Sequence, residues 1–184
     1  MRETVDTRTR IQDVALELFT EQGYEATSLR EIAERLGVTK AALYYHFKTK
    51  EDILTSLIET RIGAMDELIA WGQGQPPGPE TRREFVRRYA ADLQRGRHHE
   101  MMRFLERNQT ALQGHPTTEK MRGRMMAMLD ILTDKDAPLA DQLKCSLAIF
   151  AMHATWFVFR DPDVTDEQRQ EAGLKVALEL VDDA

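Results

Sequence analysis

The sequence predicts an all-α protein of about nine helices, and three observations carry that expectation. Leu, Ala and Met together number 47 against 16 for Val and Ile, so helix formers outweigh β-branched residues. Gly and Pro total only 16 of 184 residues. Apolar positions recur at helical spacing along most of the chain. The length is sufficient to bury a real core, and 42% hydrophobic with 30% charged residues is ordinary for a folded globular protein. The single cysteine, Cys145, excludes an intramolecular disulfide and a cysteine-based zinc cluster. No basic segment precedes an apolar stretch at the N-terminus, so no signal peptide is expected. The longest apolar run, Cys145 to Phe159, is interrupted by Ser146, His153 and Thr155 and falls short of the ~20 residues that span a bilayer. A cytoplasmic protein without membrane contact is expected.

The elements follow in order. From Asp6 onward, Ile11, Val14, Ala15, Leu18 and Phe19 share one helical face, and Gly23 fits the position just past a helix end. Ser28-Leu29-Arg30-Glu31 reads as a capping box that opens a short helix with Leu29, Ile32, Ala33 and Leu36 inward. Gly37-Val38 breaks that helix, and Thr39 caps a third one running to about Tyr45 or His46. A fourth begins near Lys50 and shows Ile53, Leu54, Leu57, Ile58, Ile62, Met65, Leu68 and Ile69. The Gly/Pro-rich stretch from Gly72 to Pro79 predicts a linker outside any helix.

Five more helices are expected. Residues 80–95 present Phe85, Val86, Tyr89, Ala90 and Leu93 and stop at Gly96. Residues 99–112 present Met101, Phe104, Leu105 and Leu112, and Met121, Met125, Met128, Leu129 and Leu132 keep one stripe after Pro116. From Pro138 the pattern is amphipathic to Leu143, then apolar all round to Phe159. Thr165-Asp166-Glu167-Gln168 is a second capping box, starting a last helix with Leu174, Ala177, Leu178 and Val181 inward.

A formal charge of −6 is unfavourable for a nucleic-acid binder taken as a whole. The first fifty residues, however, balance eight basic against eight acidic side chains, so the deficit lies beyond them. Within 27–50, Arg30, Arg35, Lys40, Lys48 and Lys50 face only Glu31 and Glu34. An ordinary mixed surface fits that composition too, so charge alone does not decide.

The turn decides more. A helix-turn-helix needs a small residue where its two helices cross, a glycine four positions on, and an apolar residue six beyond the glycine. Ala33, Gly37 and Leu43 have that spacing. The third helix then offers Thr39, Lys40, Ala41, Tyr44, Tyr45 and His46 as an exposed row of donors with one small residue for close approach to a groove. Lys50 adds a cation at the start of the next helix.

These residues are recognisable. Thr27-Ser28-Leu29-Arg30-Glu31-Ile32-Ala33, then Leu36-Gly37-Val38-Thr39-Lys40, then Leu43-Tyr44-Tyr45-His46-Phe47-Lys48-Thr49-Lys50-Glu51 resemble the tetracycline-repressor (TetR) family of bacterial regulators over roughly Ile11 to Leu54. The resemblance implies a helix-turn-helix DNA-binding domain in residues 1–50 and an effector-binding and dimerisation domain in 51–184. It implies a homodimer that sets each third helix in a major groove of a palindromic double-stranded operator. By the same resemblance Thr27 or Ser28 meets a phosphate, Thr39 and Lys40 reach bases or phosphates, and Tyr44, Tyr45, His46 and Lys50 hold the backbone. Position 41, often glycine in relatives, is Ala41 here, which leaves the operator sequence open.

Beyond residue 50 the sequence offers candidates for a small-molecule effector. Asn108 lies on the apolar stripe of its helix and must find a partner, either a ligand or a neighbouring backbone group. Met101, Phe104, Met125 and Met128 suit either gap-filling core or an adaptable apolar pocket, and Trp71, Tyr89 and Trp156 offer aromatic walls with a polar tip. A mostly apolar effector is expected, acting by displacement of the fourth helix. A regulator answering to a protein partner instead of an effector is the alternative.

The helix from Pro138 has two apolar faces: Leu139, Leu143, Leu147, Phe150, Ala154 and Phe157 on one, Cys145, Ile149, Met152 and Trp156 on the other. With the last helix it predicts a two-fold four-helix interface including Leu143, Leu147, Ala151, Ala154, Leu174, Ala177 and Val181, with the face that pairs left open. An enzyme, a cofactor and a resident metal are not expected. His98 and His99 diverge by about 100° on a helix and do not readily share a metal, and of His115 and His153 only His115 has a carboxylate, Glu119, three or four residues away. No phosphate-cradling glycine loop or nucleophile elbow is present.

Overall fold

A computed structural model describes residues 6–95, 98–108, 116–159, 161 and 163–184. Among the described residues the regular structure is wholly helical, in nine helices. They are α1 (Thr7–Glu21), α2 (Leu29–Leu36), α3 (Lys40–His46), α4 (Lys50–Gln73), α5 (Pro79–Arg95), α6 (His98–Arg107), α7 (Pro116–Leu132), α8 (Leu139–Val158) and α9 (Asp166–Asp182). The linker expected from Gly72 starts slightly later, because Gly72 and Gln73 complete the last turn of α4. Pro79 opens α5 at the position where a missing backbone N–H costs no helical hydrogen bond. The expected continuation of α6 to Leu112 and the stop at Gly96 lie outside the described residues, as do His115 and the side chains of His98 and His99.

Two compact units divide the chain: residues 1–62 with 98–121, and residues 63–97 with 122–184. This differs from the expected division at residue 50. In the first unit, α1 packs on α2 and α6, and α2 on α3. Its core joins Ile11, Ala15, Phe19, Ile32, Leu43, Phe47, Ile53, Leu54, Ile58, Met101 and Phe104. The start of α4 and Met101 and Phe104 of α6 therefore complete the core around the first three helices, a non-local packing that periodicity cannot assign.

In the second unit α9 lies against α8 and α5. Its buried residues include Phe85, Val86, Tyr89 and Leu93 of α5, Met128 and Leu132 of α7, Cys145, Ala148, Ile149 and Met152 of α8, and Ala177 and Val181 of α9. Gly173 sets the α8–α9 approach: a Cβ there would lie 3.1 Å from Met152 Cα and 3.2 Å from Thr155 Cγ2. Among the described residues no helix is long and apolar enough to cross a membrane.

Candidate nucleic-acid interface

The local chemistry of residues 23–53 builds the interface. Ser28 caps α2 in a reciprocal box: its Oγ accepts from Glu31 N at 3.2 Å, while Ser28 N donates to Glu31 Oε2 at 2.7 Å. Donation to its carboxylate by the Ser28 hydroxyl first, at 2.7 Å, and by the Ser28 backbone N–H second holds Glu31 below the usual carboxylate range. Gly37 ends α2 at φ 72°, a left-handed conformation that a Cβ would strain. Val38 N then bonds back to Ala33 O at 3.0 Å, which turns the chain sharply into α3. Thr39 Oγ1 accepts from Ala42 N at 3.2 Å and caps α3, and Leu43 is fully buried beneath it. Thr49 and Asp52 form a similar reciprocal pair at the start of α4: Thr49 Oγ1 accepts from Asp52 N, and Asp52 Oδ2 accepts from Thr49 N and Lys48 N. The sequence reading missed that box, although Thr-x-x-Asp was its signal.

With Leu43 fixed inward, α3 turns a row of residues outward. Thr39, Lys40, Ala41 and Tyr45 are exposed, Tyr45 at 81%, and Tyr44 and His46 are half-buried. Lys40 Nζ stands 5.4 Å from the Tyr44 ring, and the Tyr45 and His46 rings meet edge to face at 5.2 Å. Lys48 Nζ donates to Tyr44 O at 2.6 Å. Arg30 and Arg35 are less available for an anion than their number suggests, since they pair with Glu34 and Glu21.

Two of the expected contacts need correction. Thr27 is only 2% exposed; its hydroxyl donates to Gly23 O at 2.8 Å and accepts from Gln22 Nε2 at 3.2 Å. It holds the turn between α1 and α2 and has no face for a phosphate. Ser28 stays exposed, but its hydroxyl proton goes to Glu31 Oε2 at 2.7 Å. Lys50 Nζ donates to Tyr24 O at 2.8 Å and Glu25 O at 3.2 Å, which leaves one of its three N–H donors for another acceptor. It also stands 4.7 Å from the Tyr24 ring. Burial first, then the Glu51 and Glu25 carboxylates, pushes the Tyr24 phenol up to about 12.

The expected effector residues fall in both units, which the sequence reading had placed together. Met101, Phe104 and Asn108 belong to the first unit's packing: Phe104 lies 5.8 Å from the Phe19 ring, and Asn108 Oδ1 accepts from Tyr24 N at 3.0 Å. Asn108 Nδ2 donates to Phe104 O at 2.9 Å, so its amide is satisfied within the chain. Trp71, Tyr89, Met125, Met128 and Trp156 belong to the second unit. There Tyr89 Oη and His153 Nε2 are 2.9 Å apart, Arg169 stands 5.5 Å over Trp156, Met128 is buried and Met125 half-buried. A cleft of about 240 Å³ in this unit is lined by Ala64, Glu67, Leu68 and Trp71 of α4 and Arg88, Ala91, Asp92 and Arg95 of α5. Arg88 stacks 4.3 Å from the Trp71 ring. Only Trp71 of this set was expected; the same i, i+3, i+4, i+7 stride on both helices was the signal for the rest.

The two faces of α8 are now distinguishable. Cys145, Ala148, Ile149 and Met152 are buried, whereas Leu139 (82% exposed), Leu143 (59%), Leu147, Phe150 and Phe157 face solvent. Ala151, Ala154 and Leu174 are half-buried. Ala177 and Val181 are buried within the chain, which corrects their place in the expected interface.

The fold and this surface define an all-helical helix-turn-helix protein, with an exposed second helix of the motif held on a buried leucine. Residues 11–57 match the family described as bacterial regulatory proteins, tetR family. The HTH-type transcriptional regulator AcrR of Shigella flexneri is 44% identical over 77 residues, 42% of this chain and 36% of that protein. The HTH-type transcriptional repressor KstR2 of Rhodococcus jostii is 38% identical over 69 residues, 35% of this chain and 34% of that protein. These matches span about a third of either relative. Across nearly the whole chain, 98%, the fold resembles Mycobacterium smegmatis AmtR, at a TM-score of 0.62 with 27% identity over 88% of that structure. Residues 11–57 are thus similar to the helix-turn-helix region of the tetR family, and the two relatives matched there bear the names of transcriptional regulators.

Proposed function

We propose that the protein is a transcriptional repressor that binds a palindromic double-stranded operator as a homodimer in the cytoplasm and is released by a small-molecule effector. The observation that carries this reading is the outward row Thr39, Lys40, Ala41 and Tyr45 on α3, set on buried Leu43. Such a row fits the major groove, with Lys40 at the end of the helix nearest the bases and Tyr45 toward the phosphates. Tyr44, His46 and the remaining donor of Lys50 extend the phosphate contacts.

The exposed Leu139, Leu143, Leu147, Phe150 and Phe157 face supports a second copy as the partner of α8. For the effector, Trp71 and Leu68 supply an apolar wall and Arg88, Arg95, Glu67 and Asp92 a polar rim, which suits an amphipathic molecule better than a purely apolar one. Helix α4 carries Lys50 at its first residue and Trp71 near its last turn. An effector seated at Trp71 acts on DNA affinity by favouring one placement of that helix.

Selection of bound duplexes from a random-sequence library tests the reading. Enrichment of a palindrome with half-sites about one helical turn apart is expected. Recovery of no preferred sequence overturns it. Calorimetry of an identified effector, with and without the selected duplex, then tests release: linkage requires the duplex to weaken effector binding, and equal affinities exclude that mechanism.

A further inference from the structure

The recognition helix is short for the precision asked of it. Among its seven residues only Leu43 is buried. A single apolar anchor leaves a helix free to tilt and roll about that point. The last carbonyls of such a helix also lack intrahelical partners. A second anchor is therefore to be sought at the far end of α3, and it comes from the first turn of α1.

Arg8 Nη2 donates to Ser56 Oγ of α4 at 2.9 Å, and Arg8 Nη1 reaches His46 O, the last residue of α3, at 3.4 Å. Its guanidinium Cζ lies 4.3 Å from the centre of the Phe47 ring, and Phe47, which caps α3, is itself buried. Ser56 is 8% exposed and accepts a second hydrogen bond from Gln12 Nε2 at 2.8 Å, so Arg8 and Gln12, one turn apart on α1, close on the same oxygen. The bond to His46 is long, so the strength lies in the Ser56 bond and the Phe47 stack. A planar guanidinium can stack on a ring and fork to two acceptors at once. An ammonium cannot do both.

We propose that Arg8 is a positioning residue for the recognition helix: by joining Ser56, Phe47 and His46 it fixes the tilt of α3 against α1 and α4. The proposal rests on the DNA-binding reading above. It separates Arg8 from the phosphate contacts, because a positioning residue governs how well bases are read while a phosphate contact governs affinity for every sequence alike.

Three full-length variants test it: Arg8→Met, which keeps length and ring contact without donors; Arg8→Lys, which keeps the charge; and Ser56→Ala, which leaves Arg8 intact and removes its anchor. Binding is measured at several salt concentrations to the duplex the wild type selects and to a scrambled duplex of equal length. All three are expected to lose about tenfold in affinity for the selected duplex while changing little on the scrambled one, with an unaltered salt slope. Equal losses on both duplexes with a slope shallower by about 0.9 for Arg8→Met make Arg8 a direct phosphate contact and overturn the proposal. An unchanged Ser56→Ala overturns it as well. Amide exchange without DNA supplies an independent arm. Residues 40–46 are expected to exchange faster in Arg8→Met and Ser56→Ala, and unchanged exchange overturns the clamp even if the wild type selects no duplex. Failure of that selection with faster exchange retains the clamp and removes the DNA-binding reading.

Discussion

Asn108 Oδ1 accepts the backbone N–H of Tyr24 at 3.0 Å, which ties the residue just past α6 to the turn between α1 and α2. Both polar atoms of the amide are partnered within the chain, because its Nδ2 donates to Phe104 O. Asn108→Ala leaves a part-buried N–H without its acceptor and is expected to cost ~1–3 kcal/mol, read as a lower urea midpoint. Effector affinity per folded molecule should not change. A variant of full stability that has lost effector binding contradicts this placement.

What was legible in the sequence and what was not follow the range of the interactions. The boxes Ser28/Glu31 and Thr165/Gln168 formed as expected, because both partners lie within one turn of each other. The left-handed glycines at 23 and 37 were readable for the same reason. Asn108 was recognised as a polar residue needing a partner, yet that partner is 84 residues away, and periodicity carries no information at that distance. The two apolar faces of α8 were visible as a pattern, but which one α9 covers depends on the docking of α9. Gly173 determines that docking, and its lack of a side chain gave no signal on the apolar stripe.

On the outward face of α3, Lys40→Ala and Tyr45→Ala are expected to separate two kinds of contact. Tyr45, at 81% exposure, can be removed with little effect on folding. Its loss should weaken binding to all duplexes alike. Lys40→Ala should also relax preference at one position of the selected site, by ~1–3 kcal/mol if the contact is bidentate. Competition binding with single-base variants of the selected duplex reads both. Identical behaviour of Lys40→Ala and wild type across those variants removes Lys40 from base readout.

Tyr24 gives a pH dependence with a definite sign. Its phenol keeps the proton up to about 12 in the folded chain against 10.0 in an open one. Between those values the folded state binds more protons than the unfolded state, so the contribution is whole below pH 10 and lost as pH rises through about 12. Tyr24→Phe is expected to flatten the fall in urea midpoint between about pH 10 and about pH 12. The ultraviolet difference titration of wild type against Tyr24→Phe should show one phenol ionising late. A difference spectrum centred near the ordinary tyrosine value contradicts the burial of this ring.

The outer face of α8 makes the strongest claim on quaternary structure. Leu139, Leu143, Leu147 and Phe150 step at four, four and three residues along one side of the helix, and all are exposed. The opposite side is already occupied: Cys145, Ala148, Ile149 and Met152 are buried within the chain. A second copy is therefore expected to meet the outer face, with α8 packing on its symmetry mate and the half-buried Ala151, Ala154 and Leu174 at the margins. Stable interfaces bury about 1,200–2,000 Å² in total, which one helix supplies only if a neighbour contributes, and exposed Val176 on α9 extends the apolar surface. Leu143→Glu with Leu147→Glu places two carboxylates in each half of that contact, four across the dimer. Desolvating them is far costlier than the interface is favourable, so the variant should sediment as a monomer at micromolar concentration where the wild type is a dimer. Ala177→Glu is the contrasting change: its side chain is buried inside the chain, so it should lower stability first rather than dissociate a folded dimer. A wild type that sediments as a monomer, or a double variant that stays dimeric, removes this face as the interface.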